Sequence, residues 1–351
     1  MSDWEKNIRR VTPYIPGEQP QESFVIKLNT NENPYPPSKR VTEVLHNFDA
    51  ALLRKYPDPA VLELTEALSD AYGVSEDQIF VGVGSDDVIA MSFLAFFHSS
   101  KPILFPDITY SFYDVWAEEF DIPYHTIPLK DDFAIDVSEY MIENGGIILP
   151  NPNAPTGVLL DISSIERILE VNQKSVVIID EAYIDFGGES VLPFIDKYDN
   201  LLLVRTFSKS RALAGSRIGY AFGSKKLISY LLDVKYSFNS YTMDSLTMKI
   251  GKAAMEDMDY FAETTAKIIK TREWTKQQLK ALGFSFTDSY ANFIFARPQD
   301  GDARALFEAL KQEKIYVRYF NKPRIDDYLR ISIGTQEEME VLIGFLKKYY
   351  L

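Results

Sequence analysis

The sequence predicts an α/β fold: a mostly parallel sheet covered by helices, with a smaller α+β domain after it. Three observations carry this. Runs such as GIILP (146–150), SVVIID (175–180) and LLLVRTF (201–207) are almost continuously apolar, as strands buried on both faces are. Helical patterns lie between the runs, and parallel neighbours need such crossovers. After Phe222 the order changes to one long helical region and then to closely spaced strands. That marks a second unit in a chain of 351 residues, too long for a single core.

Residues 1–40 are rich in Pro, Asn and Gly and predict an irregular arm with one short strand, FVIKL. Helical patterns follow at 41–54 and 60–72, the second closed by Gly73. IFVGV (79–83), PILF (102–105) and PYHTIPL (123–129) read as strands, separated by the helices SDDVIAMSFLAFF (85–97) and SFYDVWAEEF (111–120). Helical stretches lie near 136–143, before GIILP, and 161–172, between GIILP and SVVIID. One helical region covers roughly 224–282 and ends at Gly283. FSFT, NFIFAR, IYVRYF and YLRISIG then read as strands, with helices at 302–313 and 336–349. The division predicted is an arm (1–40) against the small domain and substrate site, a large cofactor domain (41–240) and a small C-terminal domain (241–351).

The net charge of −14 argues against nucleic-acid and anionic-membrane partners, although local arginines still permit a phosphate site. With no cysteine there is no disulfide, thiolate metal site or cysteine nucleophile, which agrees with a reducing cytosol. His46, His98 and His125 stand in no metal-ligand spacing, so no metal is expected. MSDWEKNIRR lacks the apolar core of a signal peptide. The apolar stretch from Ile89 to Phe97 is broken by Ser92 and is too short to span a bilayer. A cytoplasmic protein is expected.

In open α/β sheets, ligands bind beyond the carboxyl ends of the strands. After IFVGV, Gly84-Ser85-Asp86 opens a helix whose free N–H groups suit a phosphate, although an ordinary N-cap uses the same residues. Asp87 breaks the dinucleotide glycine pattern. After PILF, Tyr110 is either a platform for a flat ring or an amphipathic tyrosine at a helix start. After SVVII, Asp180 is a carboxylate that needs a cation or donor, from the protein or from a ligand. After LLLVRTF come Ser208 and Lys209, then Arg217. A partly desolvated lysine is an amine nucleophile, whereas a solvated one is an ordinary loop residue. Together, one sheet edge offers a phosphate cradle (Ser85, Asp86, Ser208, Arg217), a ring platform (Tyr110), an anion (Asp180) and an amine (Lys209). That set matches pyridoxal 5′-phosphate, held as a Schiff base on lysine with a carboxylate at its ring nitrogen.

Asn151-Pro152-Asn153-Ala154-Pro155-Thr156-Gly157, Asp180-Glu181-Ala182-Tyr183, and Ser208-Lys209 with Gly215-Ser216-Arg217-Ile218-Gly219 are motifs in which the chain resembles class II, fold-type I aminotransferases. VTPYIPG (11–17), KLNTNENPYPP (27–37), RKYPDP (54–59), DEAYIDF (180–186) and TFSKSRALAGSRIGY (206–220) narrow the resemblance to the histidinol-phosphate aminotransferase family, over essentially the whole chain.

The resemblance implies a homodimer with shared active sites, in which Lys209 holds the cofactor and Asp180 pairs with its ring nitrogen. Tyr183 would lie near the phenolic oxygen and Tyr110 on the ring. Ser85, Asp86, Ser208 and Arg217 would line the phosphate site, Asp86 through its backbone N–H. Tyr56 would reach the phosphate in the neighbouring subunit. Arg330, Arg318 and Tyr14 would bind the anionic ends of the substrates, and Asn33 would close over them with the arm. Two positions depart from the family pattern. Ser216 replaces a commoner apolar residue. Ala154 stands where an asparagine usually contacts the phenolic oxygen, so either Asn153 substitutes or Tyr183 carries the contact alone.

The activity implied is a ping-pong transamination of histidinol phosphate and 2-oxoglutarate to imidazole-acetol phosphate and glutamate, in histidine biosynthesis. An aromatic or broad-specificity amino-acid aminotransferase and a phosphorylated-amino-acid decarboxylase share most of these motifs. Arginines serve carboxylate and phosphate alike, so the sequence leaves these alternatives open. A non-catalytic regulator on this fold would normally carry a DNA-binding extension, and no basic stretch is present.

Overall fold

The apolar runs become neighbouring strands of a seven-stranded sheet. The computed structural model describes residues 3–350; Met1, Ser2 and Leu351, the outermost residues of the predicted arm and C-terminal domain, lie outside them. The arm contributes β1 (Ile26–Leu28), and α1 (Lys39–Asn47) and α2 (Leu62–Tyr72) follow it. The large sheet is then laid down as β2 (Ile79–Gly82), α3 (Ser85–Phe96), β3 (Ile103–Pro106), α4 (Tyr113–Glu119) and β4 (Tyr124–Ile127). It continues with β5 (Gly146–Pro150), α5 (Ile162–Val171), β6 (Val177–Asp180), β7 (Leu201–Thr206) and β8 (Gly219–Gly223). Three helices follow: α6 (Lys225–Phe238), α7 (Ser245–Met255) and α8 (Met258–Ala281). The chain ends with β9 (Ser285–Phe286), β10 (Phe293–Arg297), α9 (Ala303–Gln312), β11 (Ile315–Tyr319), β12 (Leu329–Ser332) and α10 (Gln336–Tyr350).

The strand order of the large sheet is β2-β8-β7-β6-β5-β3-β4, parallel throughout except for β8, which runs antiparallel to both β2 and β7. The carboxyl ends of the other six strands therefore share one edge. Alternation along the strands divides the core. Val177, Ile179, Leu201 and Leu203 pack with α2, α5 and α7 on one face. Ile178, Leu202 and Val204 pack with α3, α4 and α6 on the other. This is the expected α/β architecture. The smaller sheet has the order β1-β11-β12-β10-β9, so the arm's strand lies parallel to β11 at its edge, Leu28 beside Val317.

Local structure departs from the sequence reading where caps and glycines intervene. The region 224–282 is three helices, because Asp244 accepts N–H bonds from Leu246 and Thr247, and Asp257 one from Tyr260, and each restarts the helix. The stretch 41–54 divides in the same way, with Asp49 capping a separate 3₁₀ turn at Ala50–Arg54. The stretch near 136–143 is one 3₁₀ turn, Val137–Tyr140. The sequence reading missed β8, whose short run is bounded by glycines.

Candidate active site

At the carboxyl edge of the large sheet a cavity of about 160 Å³ brings together Ser85, Asp86, Tyr110, Ala154, Asp180, Tyr183, Ser208, Lys209 and Arg217, with Thr30 and Glu32 of the arm. Five strand ends of the large sheet supply most of them. Ser85 follows β2, Tyr110 follows β3, Ala154 follows β5, Asp180 ends β6, and Lys209 follows β7.

Asp180 and Glu181 are adjacent acids with opposite surroundings. Glu181 turns to Arg205, 2.8 Å away, and also accepts from Ser190 and Val191. Asp180 lies on the Ile178 face of β6, where it accepts from the Tyr113 hydroxyl at 3.0 Å and the Ala182 N–H at 3.1 Å. Among the described residues it has no cationic partner, and burial pushes its carboxyl up to about 6 despite those two donors. Burial and the Asp180 charge push the Tyr113 phenol up, which keeps it a donor. Tyr113 was not singled out from the sequence; it looks like any apolar position of an amphipathic helix.

Lys209 is half-buried and loosely held. Its ammonium lies 3.4 Å from the Thr30 carbonyl and 5.7 Å from the centre of the Tyr183 ring, and it is in no ion pair among the described residues. Ser208 is tied to Thr206 through a 2.9 Å hydroxyl contact. Its neighbour Ser210 donates to Asp185 at 2.5 Å, so the lysine's loop is pinned on both sides while the amine stays available.

The expected phosphate end is built from backbone. Gly84 precedes α3 at φ 87°, and no side chain caps the helix, which leaves its first N–H groups facing the cavity edge. A Cβ on Gly84 would meet the Arg217 guanidinium at 2.5 Å, and one on Gly219 would meet Gly84 at 2.2 Å and the Ser85 nitrogen at 2.3 Å. Arg217 and β8 therefore close over the turn only because both positions are glycine. The Asp86 carboxylate accepts from Arg217 at 2.8 Å and from Tyr110 at 2.7 Å, which links the cradle to the ring platform.

On the smaller sheet, Arg318 and Arg330 face each other in register across β11 and β12. Among the described residues, Arg318 donates to the arm carbonyls of Ile15 and Pro16 and lies over the Phe320 ring. Arg330 donates to the Asn29 carbonyl at 2.9 Å, and its Nε is buried without a partner among the described residues. Burial and the Arg318 charge pull the Arg330 guanidinium below its ordinary value. Tyr14 stacks on Phe112 with ring centres 4.2 Å apart and shares a cleft of about 600 Å³ with Arg318.

Three predicted residues stand elsewhere. The Asn153 amide donates to Ile108 and Thr156 and accepts from Thr109, so it braces the loop and does not replace the donor missing at Ala154. Asn33 donates to the carbonyls of Lys209 and Ser210, holding the lysine's loop where a lid over substrate was expected. Tyr56 is 83% exposed, away from this chain's cavity.

The donor set fits pyridoxal phosphate. A buried carboxylate wants a cation, an amine is in no ion pair among the described residues, a space lies beside Tyr110, and an uncapped helix end wants an anion. Fold and site together define an enzyme that works through a lysine-bound cofactor at the edge of an α/β sheet. The chain belongs to the class I and II aminotransferase family, whose profile matches residues 23–346. It is 53% identical to the histidinol-phosphate aminotransferase of Lactococcus lactis subsp. cremoris over 99% of this chain and 97% of that one. It is 49% identical to the enzyme of that name from Clostridium beijerinckii, over 98% and 96%. In fold it resembles the Sinorhizobium meliloti histidinol-phosphate aminotransferase solved with pyridoxal-5′-phosphate, with a TM-score of 0.84, 24% identity, and coverage of 92% of this chain and 90% of that one.

Proposed function

We propose that this enzyme transfers the amino group of histidinol phosphate to 2-oxoglutarate, giving imidazole-acetol phosphate and glutamate within histidine biosynthesis, with pyridoxal phosphate on Lys209. The names of its near-full-length relatives support this. The observation that carries it is the opposed pair Arg318 and Arg330. Like charges facing each other across a ladder are costly, and an anion between them removes the cost. A guanidinium fork accepts the phosphate of one substrate and a carboxylate of the other in turn.

When bound, the cofactor supplies an aldehyde that condenses with amines and a ring that takes up the electron pair released at the substrate carbon. Lys209 would hold the cofactor's aldehyde, and its amine, once displaced by a substrate amine, would move the proton released at the substrate carbon. Asp180 would pair as an anion with the cationic ring nitrogen and keep the proton there. The N–H groups of Ser85 and Asp86, with Ser208 and Arg217, hold the phosphate. Tyr110 would lie against the ring, Tyr183 would donate to the phenolic oxygen, and Tyr14 would line the substrate cleft. Residues 41–240 carry the cofactor, and 241–351 with the arm carry the arginines. The enzyme is a cytoplasmic homodimer in which Tyr56 completes the neighbouring phosphate site. No helix among the described residues is long and apolar enough to cross a membrane.

The test is a half-reaction. Histidinol phosphate at micromolar concentration should convert the yellow enzyme to its pyridoxamine form, with phenylalanine far weaker and no carbon dioxide released. Equal conversion by phenylalanine would establish the aromatic aminotransferase, and carbon dioxide from a phosphorylated amino acid the decarboxylase.

A further inference from the structure

Three tyrosines near the cavity use their hydroxyl protons differently. Tyr110 donates to Asp86 at 2.7 Å and Tyr113 to Asp180 at 3.0 Å. The Tyr183 oxygen instead accepts from Asn31 Nδ2 at 2.9 Å, and among the described residues its own proton meets no acceptor. Asn31 is 1% exposed, and its polar groups are all engaged. Its N–H donates to Ser332 Oγ at 2.9 Å, and the Ser332 hydroxyl returns its proton to Asn31 Oδ1 at 3.1 Å. The Asn31 carbonyl accepts from Asn292 at 2.9 Å. With Oδ1 taken by a donor, only the NH₂ of the amide faces Tyr183, so the phenol must accept there and send its proton elsewhere. Asn31 sits at φ 56°, a left-handed conformation that asparagine tolerates better than most side chains. At the same wall Ala154 brings only a methyl, and the Asn153 amide is held by Ile108 and Thr156.

We propose that Asn31, held by Ser332, is a positioning residue that aims the Tyr183 proton into the cavity, at the phenolic oxygen of the bound cofactor. The proposal rests on the cofactor reading above. Ser332 lies two residues after Arg330 on β12, on the same face, so the strand that reads the substrate's anion also sets this relay. Tyr183 shares its cavity with Lys209 after β7, Asp180 on β6, Tyr110, Glu32, Asp86 and Arg217, and Arg330 on β12 and Tyr113 at the start of α4 lie within its electrostatic reach. A donor to the phenolic oxygen stabilises its negative charge most when the lysine-derived nitrogen beside it is unprotonated. Losing the donor therefore raises the pH at which the visible absorbance of the bound cofactor changes.

The test is a pH titration of that absorbance in the cofactor-loaded enzyme, for wild type, Asn31→Gly, Ser332→Ala, Tyr183→Phe and the double variants. Glycine adopts the left-handed backbone freely, so Asn31→Gly removes the amide without straining the loop. Tyr183→Phe should raise the midpoint by about one pH unit and Asn31→Gly by roughly half a unit. In the Tyr183→Phe background, Asn31→Gly should add nothing, because its effect passes through the phenol. A wild-type midpoint in Asn31→Gly overturns the proposal. So does an equal shift with and without the Tyr183 hydroxyl, which marks Asn31 as structural only. If Asn31→Gly does not fold, Ser332→Ala is read against the same outcomes. A wild-type protein that takes up pyridoxal phosphate without developing the absorbance fails the cofactor reading, and the relay's target with it.

Discussion

Asp180 carries an energetic consequence beyond catalysis. Its carboxyl is pushed up to about 6 by burial. In cofactor-free protein the folded state therefore holds a proton between the ordinary carboxylate value, about 3.9, and about 6, where the unfolded chain has released it. The group's stabilising contribution is present below that window and lost as pH rises through it, about 3 kcal/mol for a two-unit shift. Asp180→Asn should therefore unfold with the wild type near pH 4, yet about 5 °C above it beyond pH 6. Thermal melts of cofactor-free protein against pH will check this. The same variant should lose at least about 100-fold in turnover, because nothing then keeps the ring nitrogen protonated. Lys209→Ala should leave a folded protein that binds cofactor without the yellow chromophore and turns over about 10²–10⁴-fold more slowly. Wild-type turnover in that variant would refute the assignment of Lys209.

Among elements, the contact between β8 and the start of α3 depends most on a single atom. Gly219 packs its Cα against the Gly84–Ser85 turn so closely that a Cβ would lie 2.2–2.3 Å from backbone, which cannot move aside as a side chain can. Gly219→Ala should push β8 off the turn and open the anion cradle. The expected cost is about 1–3 kcal/mol of stability. Cofactor release measured by dialysis should be at least tenfold faster, whereas Gly215→Ala, with nothing within 4 Å of the added atom, should behave as wild type. The arginine pair belongs to this scale too. Arg330→Ala should raise KM for both substrates far more than it lowers cofactor affinity, since Arg330 sits on the smaller sheet.

For the whole molecule, the proposed homodimer is tested at Tyr56. Tyr56 is 83% exposed and packs tilted against Tyr241, ring centres 4.8 Å apart. If Tyr56 serves the partner's site, Tyr56→Ala and Lys209→Ala subunits should complement each other. Random reassociation makes half the dimers hybrid, each with one intact site, so activity should return to about one quarter of wild type. Recovery after mixed refolding, measured by product formation, checks this, and no recovery would show that each chain completes its own site.

The sequence by itself determined whatever depends on local periodicity. Continuous apolar runs are strands buried on both faces, and the residues following them lie at the ligand edge, so Lys209, Asp180, Ser85 and Tyr110 were legible. The quoted motifs made the family legible for the same reason: each is a short, contiguous set. Caps were legible in principle, since Asp244 and Asp257 restart helices, but an aspartate in a helical pattern looks the same whether it caps or faces water. Only the tertiary structure decided which distant groups meet. Tyr113 takes Asp180 from 67 residues away, Asn31 takes Tyr183 from 152, and Asn153 is held by Ile108, 45 residues away, where a cofactor contact was expected. Arg318 and Arg330 oppose each other because of the register of β11 and β12. A side chain's partner depends on the register and packing of elements far apart in the chain, whereas burial leaves its periodic mark on each element alone.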